Sequence, residues 1–171
     1  MNGIFILLGS NIGDSISMLT RALVCIQTQA GSVVKCSKLY RTKAWGYENQ
    51  PDFLNQVIEI QTDFSPSELL EKLLNIELQL GRVRMEKWHE RSIDIDILYY
   101  NSMSINDENL KIPHPLIAIR RFVLAPMAEI APDFIHPVNG LSQLEMLNVC
   151  PDPLEVAAIE PEIGDKNTKY K

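Results

Sequence analysis

Asp94 and Asp96 stand two residues apart in the run Ser92-Ile93-Asp94-Ile95-Asp96-Ile97-Leu98. Strand side chains alternate between faces, so this spacing puts both carboxylates on one face and Ile93, Ile95 and Ile97 on the other. Two such charges, roughly 6.5–7 Å apart at Cα by two strand rises, repel each other unless a cation joins them. Magnesium suits the pair, because it takes one or two carboxylates and fills its other positions with water and phosphate oxygens. A solvated strand face is the plainer alternative.

Just upstream lies Gly81-Arg82-Val83-Arg84-Met85-Glu86-Lys87-Trp88-His89-Glu90-Arg91. The chain has seven arginines, of which three fall in this window and two more are adjacent as Arg120 and Arg121. The guanidinium fork donates parallel hydrogen bonds to phosphate, and Trp88 offers a face for a flat ring. A charged surface loop with local ion pairs is the alternative for this window taken alone. Metal-binding carboxylates beside phosphate-binding arginines are the equipment of phosphoryl transfer. Gly9-Ser10-Asn11-Ile12-Gly13 lacks the lysine and spacing of a P-loop. His89, His114 and His136 lack metal-ligand spacing, so zinc is not expected. Prolines flank His114, which reads as a structural histidine or as a phosphate or ribose contact.

The elements that must position these residues are legible from periodicity and caps. Ile4–Leu8 reads as a buried strand. Asp14 caps a helix to about Gln29, with Ile16, Leu19, Leu23 and Ile26 on one face. Strands follow at Val33–Tyr40 and Phe53–Thr62, separated by a loop over 42–52. Ser65-Pro66 with Glu68 opens a second helix, which Gly81 ends. Ser92–Tyr100 is a strand of strict alternation. The order β-α-β-β-α-β predicts an α+β, ferredoxin-like core: an antiparallel sheet with helices on one face. A C-terminal extension adds short strands near 102–112 and a helix near 117–130. One domain is expected over 1–150, and 151–171 is expected to be a mobile tail.

With 171 residues, a net charge of -6 and 46% hydrophobic residues, the chain reads as an ordinary acidic globular domain. That balance argues against nonspecific nucleic-acid binding. No apolar run is long enough to span a membrane, and Met1–Phe5 is not expected to open a signal peptide. The three cysteines suggest neither a disulfide framework nor a zinc site, and a reducing cytoplasm is expected.

Several separated segments resemble one family. They are Gly9-Ser10-Asn11, Tyr40-Arg41-Thr42, Gln50-Pro51-Asp52-Phe53-Leu54-Asn55, Glu77 with Gly81-Arg82-Val83-Arg84, Arg91-x-x-Asp94-x-Asp96-Ile97 and Pro113-His114. In order and spacing, from about residue 3 to about 137, they are similar to 6-hydroxymethyl-7,8-dihydropterin pyrophosphokinase. The resemblance implies transfer of a diphosphate from ATP to the hydroxymethyl group of the pterin, with release of AMP, in folate biosynthesis. It implies two magnesium ions on Asp94 and Asp96, and Arg82 and Arg91 at the phosphates. Glu77, Arg84, Trp88, Arg91, Ile97, His114 and Arg120 match nucleotide-site positions. Thr42, Lys43, Ala44, Trp45, Phe53, Asn55, Trp88 and Phe122 match the pterin site, where Asn55 would read the ring edge between aromatic faces. Lys43 stands where the family usually has proline.

The loop from Arg82 to Arg91 is expected to close over both substrates. The partners expected are ATP and a small pterin alcohol, with no nucleic acid and no membrane. The chain is expected to be a monomer, and relatives fused to other folate enzymes suggest such a fusion or association here. Two other classes compete: a nucleotidyltransferase built on the Asp-x-Asp pair, which would release diphosphate rather than AMP, and a ferredoxin-like RNA-binding module. The latter would carry exposed aromatics on its central strands, where this chain carries Asp94 and Asp96.

Overall fold

The computed structural model of the chain describes residues 2–43, 51–81 and 92–159. Its elements run β1 (Ile4–Ser10), α1 (Ser15–Gln29), β2 (Ser32–Cys36), β3 (Leu39–Thr42), β4 (Phe53–Gln61), α2 (Pro66–Gln79), β5 (Asp94–Tyr100), β6 (Ile105–Asn106), β7 (Lys111–Ile112), α3 (Arg121–Ile130), α4 (Gln143–Asn148) and β8 (Val156–Ile159), with a 3-10 turn over Ile117–Ile119. The fold is α+β. The main sheet is antiparallel in the order β5-β1-β4-β3-β8, with β2 also on β4, so the strand of Asp94 and Asp96, expected to be central, stands at an edge.

The caps form as the sequence implies. The Asp14 side chain accepts from Ser17 N, and Ser65 and Glu68 make a reciprocal capping box at the start of α2. Gly81 follows α2 with φ +87°, a conformation that favours glycine. On α1 the buried stripe is Leu19, Ala22 and Ile26, whereas Ile16, expected to be buried, is 40% exposed.

The strand expected over Val33–Tyr40 divides in two. At Ser37 the backbone N–H donates to Val57 O, while Val57 N donates back to the Ser37 hydroxyl, so a side chain takes the place of a ladder carbonyl. The alternation expected along Ser92–Tyr100 breaks once. A bulge shifts the β1–β5 register between Phe5 and Ile6, and Leu98 and Tyr99 both join the same core.

Helices cover both faces of the sheet, not one. Ile4, Ile6, Leu8, Ile58, Ile60, Ile93, Ile95 and Ile97 pack with Leu19 and Ile26 of α1 and Leu69, Leu73 and Ile76 of α2. On the opposite face Phe5, Leu7, Val57 and Tyr99 pack with Val123, Leu124 and Met127 of α3 and Met146 of α4. The helix expected near 117–130 is interrupted at Arg120, and α4 was not foreseen.

Residues 156–159, expected to lie in a mobile tail, form the edge strand β8 on β3. The rest of that tail, 160–171, lies outside the described residues. Among the described residues, no helix is long and apolar enough to cross a membrane.

Candidate active site

The face covered by α3 and α4 is the one that carries the candidate chemistry. Ile95 and Ile97 point into the α1/α2 core, so Asp94 and Asp96 project on the other side, as the alternation requires. Both are partly exposed. The register runs Tyr40 to Asn55 to Gly9 to Asp94 across β3, β4, β1 and β5. Asn55 and Asp94 are therefore separated by the single strand β1, a span of about 10 Å by two interstrand spacings.

Gly9 keeps that span clear. A Cβ built on it would lie 3.1 Å from Asn55 Oδ1, closer than the amide tolerates without moving. Gly9→Ala should therefore separate stability from binding. In a strand interior alanine is ordinarily favoured over glycine by roughly 0.5–1 kcal/mol, so the melting temperature is expected to hold or rise. The displaced amide should weaken binding of the pterin that the resemblance implies roughly three- to fivefold, about 1 kcal/mol. Thermal melting beside a pterin titration checks both signs, and unchanged affinity would show that the amide has room to yield.

Asn55 and Thr42 are both 3% exposed, and Asn55 Nδ2 donates to Thr42 Oγ1 at 3.1 Å. Thr42 pairs with Phe53, which is half-buried at the mouth of β4. At the head of α3 the Arg120 guanidinium lies 5.6 Å from the centre of the Phe122 ring. Arg121, in contrast, does not reach towards phosphate. Its Nε donates to Asp152 O and its Nη2 to Cys150 O, which corrects the reading of Arg120 and Arg121 as a phosphate-binding pair.

Beside β5 a cavity of about 210 Å³ is lined by Ile95, Asp96, Ile97, His114 and Leu70 together with the 109–111 turn and Pro115. Ile97 and His114 were expected nucleotide residues. Leu70, Asn109, Leu110, Lys111 and Pro115 were missed. Only Lys111, a cation three residues before His114, carried a signal that could have flagged it.

His114 N donates to Leu98 O, docking its loop on the free edge of β5. Its Nδ1 accepts from Leu116 N at 3.3 Å, which leaves the proton of the neutral ring on Nε2. Burial, reinforced by the Arg120 charge and opposed by Asp94, pushes the imidazole pKa down to about 4.

The sign of the linkage follows. A histidine at its ordinary pKa in the unfolded chain takes up a proton on acidification before the folded ring does, so His114 costs stability as pH falls from about 6.5 to about 4. In the ligand-free protein the His114 ring is expected to stay neutral down to about pH 4 by NMR titration. A midpoint near 6.5 would mean that the ring is solvated.

Glu77, expected at the nucleotide, is 2% exposed on α2 and accepts from Ile95 N at 2.7 Å. It thus satisfies an N–H on the free edge of the strand that carries Asp94 and Asp96. Lys43 is exposed at the end of β3. Ala44, Trp45, Arg82, Arg84, Trp88 and Arg91, with the lid expected over 82–91, lie outside the described residues.

The chain is 46% identical over 154 residues to the 2-amino-4-hydroxy-6-hydroxymethyldihydropteridine pyrophosphokinase of Methylorubrum extorquens, covering 90% of this chain and 96% of that protein. It is 47% identical over 132 residues to the enzyme of the same name from Bacillus subtilis, covering 76% and 79%. In fold it is similar to a Plasmodium falciparum HPPK-DHPS structure, with a TM-score of 0.73 at 18% identity. It covers 44% of that longer chain, and 86% of its own length is matched. Residues 5–132 match the family model for 7,8-dihydro-6-hydroxymethylpterin-pyrophosphokinase, and the chain belongs to that family.

Proposed function

We propose that the row from Asn55 across Gly9 to Asp94 is where this chain transfers the diphosphate of ATP to 6-hydroxymethyl-7,8-dihydropterin. In that reaction the hydroxymethyl oxygen bonds to the β-phosphorus as the bond to the α,β-bridging oxygen breaks. The hydroxyl proton is lost, and AMP leaves. The product is the pterin diphosphate, an intermediate of folate biosynthesis.

The row is the observation that carries the reading. A ring held by Asn55 and Thr42, with Phe53 and Phe122 as its aromatic faces, would extend its exocyclic group over the bare backbone of Gly9 towards Asp94. The cavity beside Asp96, Ile97 and His114 has the apolar wall and the few polar groups that a nucleoside needs. A neutral His114 offers Nε2–H to a phosphate oxygen, and Arg120 adds fixed positive charge.

The donor set fits magnesium. Asp94 and Asp96 are partly exposed at alternate positions of one strand. Among the described residues no group of three or more acids, histidines or cysteines could enclose a metal. Two carboxylates leave the remaining positions to water and phosphate oxygens, as magnesium prefers. Two ions, when bound, would neutralise and align the ATP phosphates. Arg82 and Arg91 supply further charge as transfer proceeds, and Arg84 and Trp88 complete the nucleotide and pterin contacts by family position. The protein's main work is then to place the two substrates and exclude water.

The strand order β5-β1-β4-β3, with α1 and α2 as the crossovers, supports a ferredoxin-like core extended by α3, α4 and β8. A monomeric, cytoplasmic enzyme, alone or fused to another folate enzyme, accords with this reading. Turnover with ATP, magnesium and the pterin alcohol tests it, with AMP read by chromatography. Release of diphosphate instead of AMP would assign a nucleotidyltransferase.

A further inference from the structure

We infer that Cys150–Ile159, a segment beyond the family-matched residues 5–132, clasps the two walls of the pterin pocket together, with Asp152 as a positioning residue. The inference rests on the pocket proposed above, and two of its readouts do not require turnover.

The first wall is the head of α3. That helix has Arg120 at its N-cap with no side-chain cap of its own. A helix start leaves N–H groups that need acceptors, and a carboxylate there also meets the positive end of the helix dipole. The acceptor comes from 31 residues away: Asp152 Oδ2 takes Arg121 N at 3.0 Å. Its other oxygen takes Leu154 N at 3.1 Å, which holds the carboxylate in place. Asp152 is 4% exposed, so these bonds act out of water.

Arg121 returns the contact. Its Nε donates to Asp152 O at 3.0 Å and its Nη2 to Cys150 O at 3.2 Å. Arg121 is thereby fixed at both backbone and side chain. It sits between Arg120 and Phe122, the two side chains that the family positions give to nucleotide and pterin.

The second wall is β3. Four residues after Asp152 the chain pairs with it as β8, with Val156 opposite Thr42 and Ala158 opposite Tyr40. Without β8, β3 would be the edge of the sheet, the position where strands fray and slip. Thr42 Oγ1 in turn accepts from Asn55. One short segment therefore restrains Phe122 from one side and Thr42 from the other.

Asp152→Asn and Ala157→Pro test the clasp separately. The first removes the carboxylate that holds α3. The second removes the β8 N–H that faces β3 opposite Arg41 and leaves Asp152 intact. In ligand-free protein, Asp152→Asn is expected to speed amide exchange at residues 121–124 and Ala157→Pro at residues 40–42. Each variant should raise the pterin KM by about tenfold, the scale on which supporting residues act, with kcat within about twofold. Asp152→Glu should recover part of the loss.

Exchange changes confined to 150–159, with pterin KM unchanged in both variants, would reduce the segment to a passive tie and overturn the inference. Should one variant fail to fold, the other decides. Should the wild-type chain not turn over the pterin, the proposed function falls, and the exchange pattern alone judges the clasp.

Discussion

Asp96→Ala is expected to lower turnover by roughly 10²- to 10⁴-fold while the fold survives. Asp96 is partly exposed, on the face opposite Ile95 and Ile97, and in register with Leu7 of β1. Removing it leaves the apolar side of β5 untouched. That side packs against α1 and α2, and the strand's free edge is held separately by Glu77 at Ile95 N. Stability should therefore change little. The catalytic loss should be large, because a metal's charge stabilisation at the transferring group is worth several kcal/mol, and each decade of rate is about 1.4 kcal/mol. AMP release measured over a magnesium titration, beside a thermal melt, checks both halves. Near-normal turnover at modest magnesium would remove Asp96 from the metal site. A collapse of the melting transition would make its role structural.

Asn55→Ala is the second large effect, and it should fall on pterin affinity. Asn55 lies at the centre of the row, and its amide is committed to Thr42 on one side and abuts Gly9 on the other. Truncation leaves both the ring's polar edge and the buried Thr42 hydroxyl short of a partner. Such losses cost roughly 1–3 kcal/mol, or about 5- to 150-fold in Kd. Nucleotide affinity should be nearly unchanged, because the cavity beside β5 is formed by other residues. Calorimetry with the pterin in the presence of a nonhydrolysable ATP analogue measures the split. An unaltered pterin Kd would move the pocket off this row. Equal losses for both ligands would point to a general loosening of β4.

Much of this was written in local sequence. Asp14 and the Ser65–Glu68 box mark where the helices begin, because a cap is a contact between residues two to three apart. Asp94-x-Asp96 implies one shared face, because alternation is a property of any strand. The family segments identify the chemistry, since they preserve residue types in order.

What local pattern could not supply was everything decided by a distant partner. Strand pairing places Gly9 between Asn55 and Asp94, residues that lie 39 positions apart in sequence. Arg121 looks like an anion ligand in sequence, yet the backbone carbonyls of Cys150 and Asp152 take its guanidinium. Glu77 matches a nucleotide-site position, and burial turns it onto the edge of β5. The helix α4 and the strand β8 were missed because α4 is only six residues long and β8 four, too short for a periodic signal. They are stable because the face presented by Phe5, Leu7, Val57 and Tyr99 must be covered, and because β3 offers an open edge. The sequence by itself marked the candidate residues for the chemistry and determined where elements start, since both are set by residue type and short-range contacts. The tertiary structure alone decided which of those residues meet, because burial and strand register are properties of the assembled sheet.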